Sequence, residues 1–240
     1  MLKDFDALLR EEMQILDSGV WGTIGPHSRA AAKALAAAAG RQYGLLCCSA
    51  DAACEAVLRG LGAGWGHTVC IPAYSTPMLT FAARRTGARA VYCPCRDDGT
   101  PDPNKLTELL AAQPPVCVLA DAAAEAVTAA CKAAGVPLAV YTAGALTGPD
   151  ADVLIGSTAD GCMVNAGSGG YLVTDSEAIW ARAFAAHNCG RAPGQGSTLT
   201  FDDALGGDMR VSEFVSAAVE HILREGSFDE PRPAERVWMG

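Results

Sequence analysis

Apolar residues along this chain fall into short blocks that alternate between two periods. The blocks at 43–49, 68–72, 88–93, 116–120, 137–141, 152–155 and 170–174 are brief and rich in Val, Leu, Ile, Cys or Tyr, as buried strands are. The Ala- and Leu-rich stretches at 29–39, 51–62, 77–86, 103–112, 121–134, 175–186 and 209–224 read as helices. Asp102-Pro103 opens one of them, with proline in the tolerated first turn. Strands separated by helices predict an α/β fold of three layers, a mainly parallel central sheet covered on both faces. Gly167, Gly169 and Gly170 read as turn positions; with no Walker lysine after them they are not a phosphate loop.

Composition narrows the function more than the fold. The 240 residues suit one sizeable domain, and half of them are hydrophobic, enough to fill its core. A net charge of −9 argues against nucleic acid and against anionic membrane surfaces as partners, since both call for basic patches. The amphipathic, charged stretch 1–10 does not read as a signal peptide, and the Ala-rich run 30–39 is too short to span a bilayer. The expected location is the cytoplasm. The ten cysteines sit mostly inside apolar blocks and include no C-x-x-C pair, so they read as reduced core thiols, with no metal site expected. His67 reads as a solvated turn residue, and His27 and His221 carry no pattern.

Several segments, in order, resemble one family. Ser18-Gly19-Val20-Trp21, Ser49-Ala50-Asp51-Ala52-Ala53, and Gly66-His67-Thr68-Val69 with Ile71-Pro72-Ala73-Tyr74 are the first three. Thr86-Gly87-Ala88, Gly135-Val136-Pro137 and the stretch Gly167 to Asp175 follow. Asn188-Cys189-Gly190-Arg191 and Gly206 to Glu213, with Arg210, Ser212 and Glu213, complete the set. Together, over about 14–222, they are similar to the DegT/DnrJ/StrS-type aminotransferases, fold-type I enzymes that aminate nucleotide-linked keto-sugars with pyridoxal phosphate (PLP). The resemblance implies a large domain over 1–226, including an N-terminal arm of about 1–28, an irregular tail over 227–240, and a C-terminal small domain that this chain lacks.

The same resemblance implies that the chemistry has been erased. PLP catalysis needs a lysine for the Schiff base, and that position falls on Cys162. The four lysines are Lys3, Lys33, Lys105 and Lys132, and none follows residue 132. The carboxylate expected beneath the pyridine nitrogen falls on Tyr141, and the glutamine three residues later on Gly144. The phosphate-binding pair falls on Ala50 and Asp51, and an asparagine reaching across a dimer falls on Asp208. Ser49 and Ser157 remain as hydroxyl donors. Asp51 is expected to repel phosphate and to cap the helix that follows. The stacking aromatic falls on Thr76, for which Tyr74 would substitute only after a loop shift. Cys189 and His187 lie near the former histidine position, leaving a cysteine-based activity centred on Cys162 as a minor reading.

These implications predict a non-catalytic aminotransferase-like protein, a pseudoenzyme that binds no PLP and acts as a modulating or scaffold subunit. Its expected partners are a second copy, as a homodimer, or a catalytic relative, as a heterodimer. Two alternatives stay open. One is a small-molecule protein that reuses the erased pocket for a sugar or an amine. The other is PLP-dependent sugar amination only together with a catalytic partner chain.

Overall fold

The computed structural model describes residues 4–22, 24–121, 123, 125–192, 200–201 and 206–239. A seven-stranded sheet forms its middle layer. In chain order its strands are β1 (Tyr43–Cys47), β2 (Thr68–Pro72), β4 (Arg89–Cys93), β5 (Cys117–Ala120), β6 (Leu138–Tyr141), β7 (Val153–Ser157) and β8 (Gly170–Thr174). They lie in the order β1-β8-β7-β6-β5-β2-β4. The pairs within β7-β6-β5-β2-β4 are parallel, whereas β8 runs antiparallel to both β1 and β7. The α/β architecture expected from the sequence is therefore present, with one reversed strand in an otherwise parallel sheet.

Alternation along each strand feeds two cores. Leu46, Val118, Leu138, Leu154 and Val173 point to the face covered by α2 (Pro26–Ala38), α5 (Pro103–Ala112), α6 (Glu125–Ala134) and α8 (Glu213–Glu225). Leu45, Leu119, Ala139, Ile155 and Leu172 point to the other face, under α3 (Ala50–Gly60), α4 (Pro77–Arg85) and α7 (Glu177–His187). Small residues let these outer helices pack closely. A side chain on Gly60 of α3 would meet the backbone nitrogen of Ala183 in α7 at 2.9 Å. The open edge of β1 is partly covered by Trp180, whose indole N–H donates to the Gly44 carbonyl at 2.9 Å.

Some boundaries differ from the sequence expectation. The helix expected at 51–62 begins at Ala50, and its cap is Ser49 rather than Asp51. Ser49 holds the extended backbone that a cap requires and accepts from the Ala52 amide at 3.1 Å, which leaves Asp51 inside the first turn. The helix expected from 209 begins at Glu213, with Ser212 as its cap, holding extended backbone and accepting from the Val215 amide at 3.3 Å. Asp208 bridges to Asn188, and the Met209 carbonyl accepts from Cys48. The helix expected over 121–134 is described from Glu125; Ala122 and Ala124 lie outside the described residues.

Two segments carry more structure than the sequence suggested. α1 (Phe5–Ser18) packs Leu8 and Ile15 onto Ala217 of α8. The stretch from 227 is irregular only as far as 236. It then forms β11 (Val237–Trp238), paired antiparallel with β3 (Tyr74–Ser75). A further short pair joins β9 (Arg191–Ala192) and β10 (Thr200–Phe201). Among the described residues no helix is long and apolar enough to cross a membrane.

Candidate functional site

In a parallel sheet the carboxyl ends of the strands form the edge where ligands bind, because chain direction changes there and the loops are free to vary. Ser49 follows β1, Thr76 follows β2 and β3, and Tyr141 and Ser157 end β6 and β7. All stand at this edge.

Local contacts link the remaining positions to them. Gly144 and Cys162 touch: a Cβ on Gly144 would lie 2.6 Å from that of Cys162, and Gly144 has φ +88°. Ser157 accepts from the Ala159 amide at 3.2 Å and donates to the Gly169 carbonyl at 3.4 Å, and Gly169 bridges to Ser49. Burial pushes the Tyr141 hydroxyl up to about 12, and the charges of Cys162, Cys54, Asp121 and Asp51 add to the effect. Those groups therefore share one neighbourhood. Cys48, an exposed thiol that the sequence reading did not single out, joins Asp51 to Asp208. Its pKa is raised first by partial burial, with Asp208 and Asp51 adding to the shift.

The charges here are already engaged. Asp51 pairs with Arg85 at 3.2 Å, Arg85 with Glu55 at 2.9 Å, and Glu55 with Arg59 at 2.7 Å. The expected negative field of Asp51 is thus largely answered by Arg85. Asp208 pairs with Arg210 through bonds of 2.7 and 2.8 Å, which pull its carboxyl down to about 2. Arg210 is the structural partner of Asp208.

Thr76, the position that the resemblance gives to a stacking aromatic, is held by a carboxylate. Both the amide and the hydroxyl of Thr76 donate to one oxygen of Asp121, each at 2.7 Å. The Asp121 side chain is 1% exposed, and its other oxygen faces Arg236 Nε at 3.2 Å. The Arg236 guanidinium lies 4.6 Å over the Tyr74 ring, and Trp238 packs on that ring at 5.1 Å. Tyr74 is therefore covered from the chain's own tail. Asp121 and Arg236 were not singled out in the sequence, which offered no signal that residues so far apart would meet.

The residues present do not fit PLP. The thiol at 162 is buried against Gly144, Tyr141 offers no carboxylate, and the threonine at 76 is bound to Asp121. The described lysines, Lys33, Lys105 and Lys132, stand elsewhere. Lys132 ends α6 and binds Asp150, beside the start of β7, on the opposite edge of the sheet. Lys105 is exposed on α5 and binds Glu108, and Lys33 lies on α2. Lys3 lies outside the described residues.

The cysteine reading finds no activating partner. Among the described residues no hydrogen bond joins the Cys162 thiol to a base, and Cys189 is exposed at φ +56°. Burial lowers the pKa of His187 to about 4, and its ring contacts Phe184. His67 is exposed. His27, in contrast, bonds Glu220 at 2.9 Å, and His221 is buried on α8 beside Glu225. Seven of the ten cysteines are buried, all ten are free thiols, and among the described residues no cluster is arranged to hold a metal. A cavity of about 220 Å³ flanks β1, lined by Lys33, Tyr43, Trp180, Phe184, His187 and Arg210. It includes none of the nine positions predicted for the erased pocket.

The family model for the DegT/DnrJ/EryC1/StrS aminotransferase family matches residues 6–227. No curated protein matches the sequence. Among solved structures, 3-amino-5-hydroxybenzoic acid synthase superposes with a TM-score of 0.77 at 26% identity, over 94% of this chain and 63% of its own. A Brucella abortus DegT/DnrJ/EryC1/StrS aminotransferase gives 0.77 at 18% identity, over 92% and 64%. The Helicobacter pylori aminotransferase involved in pseudoaminic acid biosynthesis gives 0.76 at 17% identity, over 92% and 63%. The last two bear on the fold alone. The chain spans somewhat under two thirds of the length of each of these structures.

Proposed function

The chain belongs to the DegT/DnrJ/EryC1/StrS aminotransferase family, and from that premise we propose that it is a non-catalytic member, a subunit that keeps the large-domain scaffold without the cofactor chemistry. One observation carries the reading. No lysine follows Lys132, and the position that the family resemblance gives to the Schiff-base lysine holds Cys162, buried against Gly144. A thiol adds reversibly to an aldehyde but forms no imine, so it supplies no electron sink. Tyr141 and Thr76 at the neighbouring positions point the same way, and Thr76 is committed to Asp121.

A partner surface supports the subunit role. Leu8 and Ile15 turn one face of α1 toward α8, while Phe5, Leu9, Met13 and Leu16 line another, each more than half exposed. Their spacing follows one helical stripe, and Trp21 lies exposed just beyond it. The first partner is a second copy of the chain; a catalytic relative is the other. The test is amino-group transfer from glutamate to a nucleotide-linked keto-sugar, with PLP supplied. The chain alone is expected to give no turnover above a heat-denatured control. A rate that survives repurification and vanishes in Cys162→Ser would replace this reading with a cysteine-dependent enzyme.

A further inference from the structure

The tail places a complete set of guanidinium contacts at the strand edge. Arg236 Nη2 donates to the carbonyls of Tyr74 at 2.9 Å and Gly99 at 3.2 Å. Its charged plane lies over the Tyr74 ring, and its Nε faces Asp121. A carboxylate, an aromatic face and two carbonyls are the groups that recognise a guanidinium or an amine. Gly99 closes the site without a side chain, since a Cβ there would strike the Tyr74 ring at 2.5 Å.

The ion pair is imperfect in an informative way. Asp121 Oδ2 is fully used by Thr76, whereas Asp121 Oδ1 and Arg236 Nε, though close, make no aligned hydrogen bond. Asp121 is thus a deeply buried carboxylate with one oxygen answered only by charge. A buried charge that loses its partner is strongly destabilising, so this site demands a cation whenever Arg236 is away. Arg236 itself comes from the surface, with 22% of its side chain exposed, which gives a path by which another cation enters.

We propose that Asp121, Tyr74 and the carbonyls of Tyr74 and Gly99 form a binding site for a guanidinium or primary-amine ligand, which Arg236 fills in cis and from which the ligand displaces it. The tail is then a tethered competitor. Its occupancy multiplies the apparent affinity of any free ligand by the fraction of chains in which the site is open. The strap has other anchors, with Asp229 N bonded to the Met163 carbonyl at 2.9 Å and Arg232 N to the Gly161 carbonyl at 2.7 Å. Removing the Arg236 side chain therefore empties the site without freeing the whole tail. This inference does not depend on the absence of catalysis, because its readout is cation binding without PLP.

The test uses agmatine and the full chain, followed by calorimetry and by the emission of Trp238, which packs on Tyr74. Arg236→Ala is expected to bind agmatine at one site, about tenfold or more tighter than the parent chain, and Arg236→Ala with Asp121→Asn to lose that gain. Tetramethylammonium chloride, matched in ionic strength and unable to donate hydrogen bonds, is expected to bind neither. Equal affinity in the parent chain and Arg236→Ala, or a gain that survives Asp121→Asn, overturns the proposal. If Arg236→Ala does not fold, Arg236→Gln keeps a polar side chain on the strap without the charge. It is expected to bind agmatine more tightly than the parent, and unchanged affinity there overturns the proposal equally.

Discussion

Glu213 accepts a hydrogen bond from the backbone amide of His27 at 2.8 Å, so a residue at the start of α8 caps the start of α2. Its carboxylate also receives the amides of Gly25 at 3.2 Å and Ser28 at 3.0 Å, and the residue is 1% exposed. The first turn of α2 has no side-chain cap of its own. An acidic residue from elsewhere satisfies its orphan donors and meets the positive end of the helix.

Glu213→Ala leaves these amides buried without an acceptor and is expected to lower unfolding stability by about 2–4 kcal/mol. Glu213→Gln keeps one acceptor and should lose less. Urea unfolding of the two variants beside the parent measures both, and an alanine loss no larger than that of an ordinary surface substitution would contradict the capping role.

His187 gives a pH dependence of definite sign. Burial lowers its pKa in the folded chain from 6.5 to about 4. Above pH 6.5 the imidazole is neutral in both states and costs nothing. As pH falls from 6.5 to 4 the unfolded chain takes up a proton that the folded chain refuses, and stability drops by up to about 3 kcal/mol. Below pH 4 the penalty stays constant. His187→Leu should flatten this part of a stability-versus-pH curve, and an unchanged slope would show that other groups set it.

The stripe on α1 predicts self-association. Leu9→Glu with Met13→Glu places two charges on the exposed apolar face without touching Leu8 or Ile15. Sedimentation velocity should show the parent as a dimer and the double variant as a folded monomer. A parent that stays monomeric at high concentration removes the second copy as occupant.

Gly144 and Cys162 test how closely the site is packed. Gly144→Ala forces a Cβ against the Cys162 side chain in a backbone region that disfavours alanine. The expected cost is about 2–4 kcal/mol. Adding Cys162→Gly should recover the steric part but not the backbone part, and purely additive effects would mean that the two residues do not meet.

The layers of this fold were legible because a parallel sheet writes itself as apolar blocks: every residue of β2, β5, β7 and β8 is buried. Resemblance to a family supplied the register of the site positions, and local contacts bring them to one edge. The capping serine was misjudged because Ser49 and Asp51 are both good caps by type, and only backbone conformation distinguishes them. The role of Glu213 was hidden for another reason: its partners lie at Gly25 to Ser28, and no local pattern announces a cap from a distant helix. Asp121 was obscured in an Ala-rich run, and Arg236 in a Pro-rich tail that read as irregular.

The central claim, that this chain no longer holds PLP, is tested most directly by the absorbance of the purified protein in the near-ultraviolet and visible after incubation with excess PLP and dialysis. The account predicts no retained Schiff-base band, and no borohydride-fixed adduct on the protein by mass spectrometry beyond what scattered surface lysines give. A stoichiometric band that survives dialysis and is trapped by borohydride on a single lysine would contradict it, because a lysine would then reach an edge of the sheet where Cys162, Tyr141 and Thr76 now stand.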